Sequence, residues 1–110
     1  NIQTLHAMTQ ADGPVLQRML EELAKSLEHE HDAIKAALAE QDFPRVMASL
    51  HRLKGICCLV DALPLAKACV GLESCLREQR IEEVQPLWLV LNEALAEFKV
   101  ELGAHLNPQE

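Results

Sequence analysis

A chain of 110 residues makes one domain, and the 49% apolar content is enough for a real core. With two phenylalanines, one tryptophan and no tyrosine, that core must be aliphatic, which suits packed helices. The net charge of −7 excludes a general nucleic-acid binder and a protein that sits on anionic membrane, both of which need a basic face.

Taken in order, residues 2–10 predict a short helix with Ile2, Leu5 and Met8 or Thr9 on one side. Ala11-Asp12-Gly13-Pro14 is a break followed by a start: Asp12 or Gly13 caps, and Pro14 suits a first turn. A long helix is predicted over 14–40. Its seam is Leu16, Leu20, Leu23, Leu27, Ile34 and Leu38, with Glu30 or His31 at the seam position left between Leu27 and Ile34. Gln41-Asp42 interrupts, and Asp42 is a natural N-cap. The next helix covers 43–59, with Pro44 tolerated in its first turn. Val60-Asp61-Ala62 connects to a helix over 62–79, begun by Pro64 and interrupted only by Gly71. Its seam is Leu65, Cys69, Leu72 and Leu76. Arg80-Ile81 links tightly to a last helix over 82–102, striped by Val84, Leu87, Leu91, Leu95, Phe98 and Leu102. Gly103 is the expected stop, and 107–110 reads as tail. Together these elements predict an all-α, antiparallel up-down-up-down four-helix bundle over 1–110, with the short N-terminal helix capping one end. No apolar run is long enough to span a membrane, and the N-terminus carries no signal-peptide pattern. The chain opens on Asn1 and not on methionine, so it reads as a piece of a longer protein.

The helix over 43–59 carries the most chemistry. Val46, Leu50, Leu53 and Cys57 fall on one stripe, spaced i, i+4, i+7, i+11, and face the core. His51 points away from them. Lys54 and Gly55 follow at i+3 and i+4 and flank it on its own face, which Met47, Ala48 and Cys58 complete. A glycine inside a helix costs about 1 kcal/mol relative to alanine and needs a reason, such as close approach of another surface. An imidazole is mostly neutral near pH 7 and can act as a nucleophile. A nearby lysine can hold an anion as a point charge.

Other candidates carry less. Glu28-x-x-His31 matches half of a di-iron bundle motif, but there is no second Glu-x-x-His, and His29 and His31 do not share a face. No metal site is predicted. His6 and His105 lie near the termini without evident partners. Cys57, Cys58, Cys69 and Cys75 form no C-x-x-C pair and read as small buried hydrophobes in a reducing compartment. There is no glycine-rich phosphate loop, so ATP binding and autonomous kinase activity are not expected.

His51-x-x-Lys54-Gly55 on an amphipathic helix resembles the signature of histidine phosphotransfer (HPt) domains. The resemblance covers most of the chain, including the entry through Gln41-Asp42-Phe43 and the Ala66/Cys69/Leu72-Glu73 pattern on the following helix. There are departures. The family usually has small residues directly after the glycine, where this chain has Ile56 and Cys57. It often ends the helix with Asn-Leu-Gly, where this chain has Leu59-Val60-Asp61.

The resemblance implies a phosphorelay intermediate of two-component signal transduction. His51 would be the phosphorylated nucleophile, reacting through Nε2, and Lys54 would balance the phosphoryl oxygens. Arg52, turned about 100° around the helix, would meet an acidic partner rim. Met47, Ala48, Gly55 and Cys58 would form the docking surface. Glu73 matches a family position, where capping or a surface ion pair is the expected role. The implied partners are receiver domains of response regulators and of a parent hybrid sensor kinase. They would bring the Mg²⁺, and this domain would need no cofactor of its own. The implied setting is cytoplasmic, as the monomeric C-terminal module of a bacterial hybrid kinase. The alternative is a helical interaction module that binds a partner without carrying phosphate.

Overall fold

The computed structural model describes residues 13–106. The predicted short helix over 2–10, a cap at Asp12 and the tail over 107–110 lie outside the described residues. Four helices follow in order: α1 (Gly13–Ala39), α2 (Phe43–Val60), α3 (Leu63–Arg77) and α4 (Val84–Leu106). A single 3₁₀ turn, Ile81–Glu83, leads into α4. Helix α1 packs on α2, α2 on α3, α3 on α4, and α4 closes back onto α1. The chain is therefore an all-α four-helix bundle, a rod of 45 × 21 × 19 Å.

Its core is made by the predicted stripes. Val46, Leu50, Leu53 and Cys57 of α2 are all buried, as are Leu65, Cys69, Leu72 and Leu76 of α3. Each fully buried leucine removes an apolar side chain from water at a gain of about 1.5–3 kcal/mol. On α1 the stripe is Leu20, Leu27, Ile34 and Ala37, while Leu16, Leu23 and Leu38 are only partly buried. Both candidates for the seam position between Leu27 and Ile34 turn inward: Glu30 is buried toward α2 and His31, partly buried, lies against α4.

The helix ends depart from the glycine-stop expectation. Gly103 does not end α4, which runs on to Leu106, and no described glycine has positive φ. The left-handed positions are instead Gln41, Asp61 and Gln79, with φ of 56°, 57° and 59°. Each lets the next amide reach back five residues: Asp42 to Ala37, Ala62 to Cys57 and Arg80 to Cys75, at 2.9, 3.0 and 2.9 Å. This bond ties off an orphan carbonyl at each helix end. Asp61 stands where the HPt-like ending has glycine, and it takes the conformation a glycine would supply. At the start of α2, Asp42 caps as predicted, its Oδ1 accepting the Arg45 amide at 3.4 Å, with Pro44 in the first turn.

A non-glycine residue in the left-handed region costs about 1 kcal/mol. Gln79→Gly is therefore expected to raise unfolding stability by about that amount, read as a higher urea midpoint at unchanged m-value.

Candidate functional site

His51 is exposed on α2, on the side opposite the Val46–Cys57 stripe. A cation flanks it on each side, and each is held by a buried carboxylate from a neighbouring helix. Toward α1, the Arg52 Nε–H is shared between both oxygens of Glu30, at 3.1 and 3.0 Å, and Nη2 donates to Ser49 Oγ at 3.1 Å. Toward α3, Lys54 Nζ donates to Glu73 Oε1 at 2.8 Å. Glu30, Ser49 and Glu73 are all buried. A buried carboxylate must be paired to persist as an anion, and α2 supplies both partners from the residues beside His51.

This arrangement corrects one expectation. Glu73 makes neither a cap nor a surface pair, because it is 5% exposed and points at Lys54. Glu30 and Ser49 were not recognised as part of the site in the sequence. For Glu30 a signal existed, since it occupies a seam position in α1; Ser49 carried none.

The rest of the face is apolar or bare. Ala48, Gly55 and Cys58 are exposed and Met47 is partly buried. A Cβ built on Gly55 meets nothing within 4 Å, so packing within the described chain does not require glycine there. Gly71 is equally open, so bareness alone assigns nothing; Gly55 matters because it lies one turn from His51. Two turns on, Leu59 is 59% exposed. With Met19, Leu23, Ile56 and Val60 it lines an open groove of about 390 Å³ between α1 and α2.

Cys58 is the exception to the reading of the cysteines as buried: it is exposed, while Cys57, Cys69 and Cys75 are buried. The neighbouring Cys57 thiol, together with burial, pushes the Cys69 thiol above the usual thiol range.

The half-motif on α1 is divided between separate contacts. His31 Nε2 is 2.7 Å from Asn92 Oδ1, and its ring stacks on Trp88 at 5.3 Å. Glu28 pairs with Lys99, whose hydrogen bond holds the Glu28 carboxyl below the usual carboxylate range. Among the described residues, no three His, Cys, Asp or Glu side chains gather as metal ligands.

An exposed imidazole beside two cations, on a face with little bulk, can take up an anionic electrophile delivered by a docked partner. The Hpt domain family model matches residues 18–101, well over half of the chain, and the match includes α2 and every residue of this site. No curated protein and no solved structure gives a significant match. The chain belongs to the Hpt domain family. Membership implies a histidine-phosphotransfer role in a two-component phosphorelay.

Proposed function

We propose that this Hpt domain accepts a phosphoryl group on His51 from a receiver-domain aspartate and passes it to the aspartate of a second receiver. The observation that carries the reading is the exposed His51 between Lys54 and Arg52 on an otherwise unobstructed helix face. The Nε2 lone pair forms the N–P bond as the P–O bond to the aspartate breaks. The carboxylate leaves with that electron pair, and a ring proton is released to water. The reverse reaction returns the group. The transferring phosphoryl needs in-line placement and charge neutralisation more than acid–base help. In this reading the receiver brings its own aspartate and Mg²⁺, and this domain supplies nucleophile, local cation and docking face without a cofactor.

The docking face is Met47, Ala48, Gly55 and Cys58, continued by Leu59 into the α1–α2 groove. Arg52 has a half-exposed side chain and presents its outer edge to an acidic receiver rim. No described helix is long and apolar enough to cross a membrane. The reading places the domain in the cytoplasm as a monomer, the C-terminal module of a hybrid sensor kinase.

The test is transfer from a phosphorylated receiver in Mg²⁺, with ATP alone as the control. Acid-labile, base-stable label from the receiver and none from ATP supports the reading; no label from several receivers, with the fold intact, overturns it. Gly55→Met separates docking from chemistry. Open space at the site and a better helix propensity keep the variant folded. Labelling by the small donor phosphoramidate is expected to persist, while transfer from a receiver falls by about tenfold or more, the effect of about 1.4 kcal/mol lost at the interface.

A further inference from the structure

The two cations beside His51 are held differently. Arg52 makes contacts to both Glu30 oxygens and to Ser49, from a planar guanidinium whose donors are fixed relative to one another. Lys54 donates a hydrogen bond to Glu73 Oε1 from an ammonium on a flexible four-carbon stem. Lys54 is also the closer in direction, at i+3 on the helix and so a surface neighbour of His51. Its side chain is 32% exposed, so it reaches both the buried Glu73 carboxylate and the solvent in which the imidazole stands.

We propose that Lys54 is a switched cation: it rests on the buried Glu73 carboxylate and crosses to the phosphoryl group on His51, while Arg52 stays on Glu30. Glu73 thereby sets how tightly the domain holds phosphate. The proposal rests on His51 being the phosphorylated residue. A phosphoryl group carries up to two negative charges and three acceptor oxygens, against one charge on the carboxylate. It outbids Glu73 for Lys54, but the ion pair must be given up first, and Glu73 is left buried without its cation. The pair therefore stabilises the unphosphorylated domain and works against retention of the group. A carrier that must release its phosphoryl to the next aspartate gains from such a counterweight.

Two measurements on the whole domain test this. In the first, phosphoramidate phosphorylates the ¹⁵N-labelled protein and ³¹P NMR registers the phosphohistidine. The Lys54 ammonium resonance is expected to shift and the Arg52 Nε–H resonance to stay. An unmoved Lys54, or a moved Arg52, overturns the proposal. Absence of any phosphohistidine signal instead overturns the reading of His51 as the acceptor, which is a separate failure.

The second measures the equilibrium distribution of phosphoryl between a receiver and the domain. Glu73→Gln keeps the shape and a hydrogen-bonding head but frees Lys54. It is expected to shift the equilibrium toward phosphohistidine about fivefold, the scale of one partly exposed ion pair. In a Lys54→Met background the same substitution is expected to lose most of that effect. A purely structural role for Glu73 predicts no shift toward phosphohistidine. A direct repulsion between Glu73 and phosphate predicts an equal shift in both backgrounds. Either result overturns the proposal. Should Lys54→Met not fold, the resonance test on the wild-type domain decides alone.

Discussion

His51→Gln is expected to bring phosphoryl acceptance to background while leaving the bundle intact. The side chain is exposed and takes no part in the core, so the change in stability should lie within about 0.5 kcal/mol, as for ordinary surface substitutions. Glutamine keeps polarity and approximate reach but has no ring nitrogen to form an N–P bond. Receiver binding should survive, because the apolar and cationic surroundings remain. The measurement is parallel labelling and thermal unfolding of the two proteins. The combination separates the two functional classes compatible with a helical bundle of this kind. A carrier loses its activity with its fold unchanged. A module that only binds loses nothing.

The second large effect concerns stability and runs against exposure. Arg52→Ala alters a half-exposed residue, yet it leaves the Glu30 carboxylate buried without its cation. Removing one partner of a fully buried pair costs about 3–5 kcal/mol. Solvent access to Arg52 reduces that here to about 2 kcal/mol. For a domain of this size the melting temperature should fall by about 10 °C. Glu30→Leu changes the buried partner and should cost far less. The leucine joins the seam between Leu27 and Ile34, and the guanidinium left behind can turn to water. The double variant Arg52→Ala/Glu30→Leu should recover most of what Arg52→Ala loses. Calorimetry of the three proteins gives the coupling directly. A result in which Glu30→Leu costs more than Arg52→Ala would mean that the pair is a net stabiliser, not a compensated burial.

The motif helix was legible because its stripe is regular. Val46, Leu50, Leu53 and Cys57 repeat at helical spacing, and that repeat alone places His51 on the opposite, wet side. The chain reversals were legible as breaks but not in their chemistry. Glycine is the usual left-handed terminator, so Gly103 looked like a stop. The bundle uses Gln41, Asp61 and Gln79 instead, and α4 continues through Gly103 because its backbone there is ordinary helix. Packing outweighs a single residue's local preference at these places.

The polar layer around His51 was only half legible. Glu30 and His31 both fell at the one interrupted position of the α1 seam, and the sequence could not choose between them. Both turn inward, toward different neighbours, because two helices flank α1. Glu73 sits next to Leu72 on a helix whose buried arc is wide enough to take it in. Its burial follows from Lys54 reaching across from α2, a long-range pairing that periodicity within one helix does not encode.

The most direct test of the central claim is the location of the phosphoryl group. The domain, ¹⁵N-labelled at histidine, is phosphorylated from a receiver and studied by ³¹P and ¹H–¹⁵N correlation NMR. One phosphohistidine with phosphorus on Nε2 of His51 is the expected result, with the His29 and His31 rings unchanged. Phosphorus on any other histidine, or retained label in His51→Gln, would contradict the assignment of the site. A folded domain that takes no phosphoryl group from any of several receivers would contradict the relay function itself.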